Sequence, residues 1–480
     1  MLKQSASAKH FGYNLDLLFD DLKAHNHILV AVSGGSDSVA LLYLLHDWAK
    51  DRGDLKLSVA TIDHKLRDRS ADEAIQVGQI AKKLGLRHII EEWTGEKPVS
   101  AVSQKAREAR YALLAKIAHD VGATVIALGH NLDDQRETIL MRAKRVKFSN
   151  FEIAPDEETN LGLAGMHPYV SYCGPPDYNS VALARPVLSI SRAKLRLFLE
   201  RMGENWTDDP SNEDDHYERV RLRKELVAHP TKYPTAYQIG RFGSEVAAIR
   251  EELAHNCAQF MGQNVTWQQN SDLADGVIEV DRSAFMESDL YVMRYLLRAL
   301  IGIAGGQNFL ISPDKAMDLV KDLQVGSVKR HSIGSAIIAP QRNVIRIWRE
   351  NRNLPIIKVT QAGPSVISFD GRIVYRFSDN NLNRNLELKA LGENGVAYIE
   401  AELLRRLKAN PRQALFTQPA IFNNDMPVFV PMIKWSSADF SVPECEYWTP
   451  SLEQFQPDSD FQLVDMVSQL RYPSPIKAFL

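Results

Sequence analysis

A chain of 480 residues, 45% hydrophobic and 24% charged, has the make-up of a soluble globular protein and the length for about three domains. Its net charge of −3 gives no overall signal for nucleic acid, and its three cysteines, Cys173, Cys257 and Cys445, form no C-x-x-C pair, so disulfides, a zinc knuckle and a cysteine-ligated Fe–S cluster are not expected. The N-terminus has Lys3 and Lys9 but no apolar h-region, and the longest apolar run, Val39 to Leu45, cannot span a bilayer; a cytoplasmic protein with no membrane partner is expected.

The chain opens with a short helix whose apolar stripe is Leu15, Leu18, Phe19 and Leu22, followed by a strand over Ile28 to Val32. Ser33-Gly34-Gly35-Ser36-Asp37-Ser38 comes next and leads into a helical pattern carrying Leu41, Leu42, Leu45 and Trp48. Leu57 to Ile62 reads as a second strand, and Ser70-Ala71-Asp72-Glu73 as a capping box opening a helix to Leu84. A third strand spans Arg87 to Trp93, a helix about Ser103 to Val121, a fourth strand Thr124 to Leu128, and a helix follows to about Arg145. Alternating strands and helices predict a parallel sheet, with ligands at the carboxyl ends of its strands.

Three polar segments directly follow strands: the loop at Ser33, Asp63 to Arg67, and His130 to Glu137. Each has a bland reading as caps or solvated loop, but capping alone does not account for three at one sheet end. The first is a strand-to-helix turn suited to an anion, with two glycines, hydroxyl donors and free N–H groups at the helix start. It lacks the Lys of G-x-x-x-x-G-K-[ST].

Ser-Gly-Gly-x-Asp-Ser resembles the PP-loop of the ATP-pyrophosphatases, which cut ATP between its α- and β-phosphates. With Asp63-His64-x-Leu66-Arg67, Ala106-Arg107-x-x-Arg110-Tyr111 and His130-x-x-Asp133-Asp134-Gln135-x-Glu137-Thr138, the series resembles the tRNA(Ile)-lysidine synthases. The likeness continues through Gly162-Leu163-Ala164-Gly165-Met166, Arg185-Pro186-Val187-Leu188, Ser191-Arg192, Trp206-x-x-Asp209-Pro210-Ser211-Asn212 and Arg219-x-Arg221-x-Arg223. It departs from the family at Asn131, where a second His is usual, and in the lengthened stretches 146–161 and 168–180.

The resemblance implies an ATP-dependent ligase that joins free lysine to C2 of the wobble cytidine in the CAU anticodon of an isoleucine tRNA, through an adenylated tRNA, releasing pyrophosphate and AMP. It implies that Ser33, Gly34, Gly35, Ser36, Asp37 and Ser38 hold ATP with Mg²⁺ at Asp37, and that Arg110 and Arg107 contact ATP. Lysine arrives as a compact cation needing a carboxylate and must lose a proton before it attacks. Asp134 and Glu137 are the candidates, Asp133 a competitor, and His64 or His130 could carry the proton. Arg67, Arg185, Arg192, Arg219, Arg221 and Arg223 are candidate tRNA contacts; in a helix, 219 and 223 share a face. Glu213, Asp214, Asp215 and Glu218 stand near enough to pair with them instead. The rival readings are a PP-loop tRNA sulfurtransferase, for which the cysteines are poorly placed, and a non-catalytic tRNA-binding protein.

The expected fold is α/β: a parallel-sheet PP-loop ATP-pyrophosphatase domain (1–228), a mostly helical middle domain (229–350) and a β-rich, α+β C-terminal domain (351–480), the last two being candidate tRNA-binding parts. Helices are predicted over about Thr235 to Met261, Leu290 to Ile303, Pro313 to Leu323 and Ala397 to Leu407, a hairpin over 330–350, and strands over 413–434. Arg136, Arg142, Lys144, Arg145 and Lys147 suggest a basic face, and seven acids with no Lys or Arg between Trp435 and Leu470 an acidic tail, solvated surface being the default. Oligomeric state is left open, a homodimer among the options.

Overall fold

A computed structural model describes residues 12–63, 70–94, 102–151, 155, 160–172, 181–207, 215–216, 218–267, 276–306, 310–327, 329–359, 365–370, 372–377, 386–406, 412–433, 435–438, 445–448 and 476–477. His64, Arg67, Asp209 to Asn212, the pairing candidates Glu213 and Asp214, and most of the acidic tail lie outside them. The chain divides into two compact units at Arg250/Glu251.

The first unit is built on strands β1 (His27–Ala31), β2 (Lys56–Asp63), β3 (Arg87–Glu92), β4 (Val125–Leu128), β5 (Tyr169–Tyr172) and β6 (Val181–Ala184), in the order β3-β2-β1-β4-β6-β5. All neighbours are parallel except β5, which runs antiparallel to β6. The expected parallel sheet is present, and β5 and β6, which periodicity did not show, extend it.

Alternate residues of a strand face opposite sides. Ile28 and Val30 accordingly pack with Val39, Leu42 and Leu45 of α2 (Ser36–Lys50) and with Leu195 and Phe198 of α6 (Arg192–Met202). Leu29 and Ile126 pack on the other side against Leu114, Ile117 and Ala118 of α4 (Val102–Val121). The remaining helices of this unit are α1 (Leu15–Leu18), α3 (Ser70–Lys83), α5 (Leu132–Arg145), α7 (Glu218–Ala228) and the start of α8 (Ala236–Asn264). Because β1 lies between β2 and β4, successive connections leave it in opposite directions. That makes the carboxyl ends of β1 and β4 the crevice where an open α/β sheet binds ligands.

In the second unit, α9 (Arg282–Glu287), α10 (Leu290–Gly305) and α11 (Pro313–Val325) accompany an antiparallel five-stranded sheet of β7 (Val265–Trp267), β8 (Ile278–Asp281), β9 (His331–Ile333), β10 (Ala336–Pro340) and β11 (Val344–Arg349). Where a hairpin was expected over 330–350 there are three strands, β9, β10 and β11, which form one side of this sheet with β9 at its edge. Two further sheets, built from residues 356–436 and from 365–377 with 445–448 and 476–477, make the later part β-rich. The helix expected from Ala397 to Leu407 is instead two short ones, Gly392–Val396 and Ala401–Arg406. Between them Ala397, Tyr398 and Ile399 bond back three residues rather than four, which tightens the turn and stops the helix. Residues 412–415 form a helical turn where a strand was expected, closed by the Thr417 hydroxyl on the Ala414 carbonyl.

Candidate active site

The loop after β1 is shaped by Gly34, whose φ of +89° is open to glycine at no steric cost, and by Gly35, which caps α2 without a side chain. The first N–H groups of α2 therefore meet no capping side chain from Gly35. Within the turn the Ser38 hydroxyl donates to the Gly35 carbonyl at 3.0 Å and accepts from the Ser33 N–H at 3.2 Å. Ser36 donates to Asp37 at 3.3 Å, and the Gly34 carbonyl accepts the Thr207 N–H at 2.9 Å.

The end of β4 is pressed against this turn. A Cβ on Gly129 would stand 2.9 Å from both the N and Cα of Ser38. The next residues start α5: the buried Asn131 side chain accepts from the N–H groups of Asp133 (2.9 Å) and Asp134 (3.0 Å), and Asp134 accepts from the Asn131 N–H at 3.1 Å. This is a reciprocal capping box, so Asn131 works here as a cap.

Four carboxylates, Asp37, Asp133, Asp134 and Glu137, gather beside the turn, and two arginines from later helices bind them. Arg192, at the start of α6, donates through Nε to Asp37 (3.1 Å), through Nη2 to Asp134 (3.0 Å) and through its backbone N–H to Asp133 (2.7 Å). Arg223 of α7 forks onto Glu137 at 2.5 and 3.0 Å, with Asp134 at 3.5 Å. Arg219, on the same face of α7, donates to Thr138 at 3.1 Å. Burial pushes the Asp37 and Glu137 carboxyls above their ordinary range; Arg192 and Arg223 respectively oppose that push, and the charge of Asp134 adds to it. Burial also works against the charge of Arg192, but Asp134 and Asp37 outweigh it and raise its pKa.

His130 follows the end of β4, directly before the Asn131 cap. Burial, and then the charges of Arg185, Arg107, Arg110 and Arg219, hold its imidazole well below the usual range, so it is neutral. Among the described residues its buried Nδ1 has no hydrogen-bond partner. Arg107 donates to the Tyr111 hydroxyl at 3.0 Å, and the guanidiniums of Arg107 and Arg110 lie over that ring. Arg185 is 1% exposed and donates to the His167 carbonyl at 2.6 Å.

Residues 7–230 match the family model of a PP-loop domain. The chain is 34% identical to the tRNA(Ile)-lysidine synthase of Brucella anthropi over 409 residues, covering 84% of each chain. It is 32% identical to that of Brucella ovis, over 85% of this chain and 86% of the relative, and 32% identical to that of Bartonella quintana, over 68% and 71%. The chain belongs to the tRNA(Ile)-lysidine synthase family. In this chain Asp37, Asp133, Asp134, Glu137, Arg192, Arg219 and Arg223 meet at the ends of β1 and β4.

Not every candidate joins them. Arg221 turns the other way and donates to the carbonyls of Asp215 and His216 at 2.7 and 2.9 Å, while Asp215 and Glu218 pair with Lys224 and Arg145. The basic stretch on α5 is largely engaged internally: Arg136 on the Pro234 carbonyl, Arg142 on those of Gly162 and Gly165, Lys144 on Glu225 at 2.8 Å. Gln135 clamps the Gly-Leu-Ala-Gly-Met segment by donating to Met166 O at 3.0 Å and accepting its N–H at 2.7 Å. Residues the sequence reading passed over are Gly129 and Thr207, which shape the loop, and Arg196, four residues beyond Arg192 and therefore on its helix face.

Proposed function

We propose that this protein uses ATP to join the side-chain amine of free lysine to C2 of the wobble cytidine in the CAU anticodon of an isoleucine tRNA, in the cytoplasm. Beyond family membership, the reading is carried by one observation: the carboxyl ends of β1 and β4 bring a phosphate-shaped turn and the acids of α5 within reach of a single guanidinium, Arg192. In the first step O2 of the cytidine attacks the α-phosphorus, the bond to the bridging oxygen breaks, and pyrophosphate departs. The N–H groups and hydroxyls of Ser33 to Ser38 hold the phosphates, where preorganised donors count most. In the second step the deprotonated amine attacks C2, and the C2–O bond breaks with AMP as the leaving group.

Asp37, with its second carboxylate neighbour Asp134, offers hard oxygen donors beside the turn. Among the described residues no group of three His, Cys, Asp or Glu is arranged to hold a metal ion. Mg²⁺ is held by one or two carboxylates plus phosphate oxygens; bound beside Asp37 it would offset the phosphate charge. Asp134 and Glu137 take the lysine ammonium, which must compete with Arg223 for Glu137. The neutral His130 gives hydrogen bonds near the reacting groups. Arg107, Arg110 and Arg219 make the crevice attractive to the phosphates of ATP or tRNA, whereas Arg185, a candidate tRNA contact from the sequence, is buried on the His167 carbonyl and adds only its charge. Residues 229–350, of which 229–250 belong to the first unit, and residues 351–480 we assign to tRNA binding.

The test is pyrophosphate release by purified protein given ATP and isoleucine tRNA. Asp37→Ala should abolish release while tRNA still binds; undiminished release would remove Asp37 from the reaction.

A further inference from the structure

A phosphate loop of the G-x-x-x-x-G-K-[ST] kind brings its own cation to the leaving phosphates. This loop does not: the first turn of α2 supplies Ser36, Asp37 and Ser38, two hydroxyls and a carboxylate. Arg192 is the first guanidinium of α6 at the loop, and it is held by Asp37 and Asp134. One helical turn further on, Arg196 is half-buried and donates through Nε to the Ser36 hydroxyl at 3.3 Å.

Its position is fixed from behind. The guanidinium lies over the Trp206 ring, 5.7 Å from the centroid, and Trp206 packs against the sheet core. The segment carrying Trp206 is tied to the same loop and to α3, Thr207 donating its N–H to Gly34 O at 2.9 Å and its hydroxyl to Gln76 at 2.5 Å. A planar cation held over an aromatic ring and touching a loop hydroxyl is preorganised for a phosphate.

We propose that Arg196 is a further substrate-binding residue, which grips the β- and γ-phosphates of ATP and retains that charge on the pyrophosphate as it leaves. The proposal rests on the phosphate-site reading of Ser33 to Ser38. As the bond from the α-phosphorus to the bridging oxygen breaks, the electron pair passes to pyrophosphate, and the guanidinium faces the growing charge while Ser36 orients it. The loop's missing cation is thus supplied from α6.

The test compares the full-length protein with Arg196→Gln and Arg196→Lys, measuring KM for ATP, KM for lysine and product inhibition by pyrophosphate. For Arg196→Gln the ATP KM and the pyrophosphate inhibition constant should each rise about tenfold, the loss of one charge-assisted contact, with lysine KM unchanged. Arg196→Lys, which keeps the charge but not the fork, should fall between. If pyrophosphate competes with ATP in the wild type and equally well in both variants, Arg196 is not a phosphate ligand, and a lowered melting temperature alone would mark it as structural. If pyrophosphate does not compete with ATP even in the wild type, the phosphate-site reading falls and this proposal with it.

Discussion

Gly129→Ala is the sharpest test of how the site is built. The added methyl would stand 2.9 Å from the N and Cα of Ser38 and 3.1 Å from the carbonyl carbon of Asp37. These are backbone atoms of the first turn of α2, so no flexible side chain can swing aside. Restoring contacts of 3.4 Å requires the end of β4 and the phosphate turn to part by about 0.5 Å. Overpacking of this kind costs about 1–3 kcal/mol, which lowers the melting temperature of a unit this size by roughly 2–10 °C. The effect on turnover should be larger in proportion, because a misplacement of about 1 Å can cost about 100-fold in rate. We expect pyrophosphate release to fall about tenfold or more while the fold, followed by circular dichroism, is kept at 25 °C. Turnover within about twofold of wild type would refute the claim that this close approach positions the loop.

Glu137→Gln should raise the KM for lysine about tenfold or more, the value of a lost charge-assisted contact, and leave the KM for ATP nearly unchanged; equal losses would count against Glu137 as the lysine ligand. His130 is held neutral by burial and four arginines, so the unfolded chain binds a proton there that the folded chain refuses. Its contribution to stability is therefore fully present above pH of about 6.5 and is lost as pH falls below it. The melting-temperature gap between wild type and His130→Asn should accordingly shift against the wild type on going from pH 7.5 to 5, and a constant gap would refute the assignment. In the second unit Asp370 sits between Arg349 and Arg372, at 3.1 and 2.9 Å, all three nearly excluded from solvent. Asp370→Asn keeps the shape and tolerates the left-handed backbone there, yet removes the carboxylate that both buried cations share; calorimetry should show a loss of about 3 kcal/mol or more.

Much of the first unit was legible because its strands and helices alternate with the right periodicities and its ligand-side residues follow strands directly. The short strands β5 and β6 were not. Val-Ala-Leu-Ala at 181–184 is buried at every position, so it shows no alternation, and Tyr169 to Tyr172 lies in a Pro- and Tyr-rich stretch that reads as loop. In the site, the carboxylates of α5 could be read from spacing, but their partners could not. Arg192 stands 155 residues from Asp37 and Arg223 86 from Glu137, pairings that only the folded sheet creates. From the sequence both arginines are candidate contacts to the tRNA backbone with nearby acids as alternative partners; in this structure their guanidiniums lie among Asp37, Asp134 and Glu137. Gly129 did leave a signal, a glycine just past a strand, which marks close backbone approach.

The central claim is best tested by incorporating labelled lysine into total tRNA with purified protein, with and without ATP. Label that requires ATP and is confined to one isoleucine tRNA is the predicted result. Pyrophosphate released on adding tRNA, with no lysine label, would show that the phosphate turn works with a different nucleophile and would contradict the account.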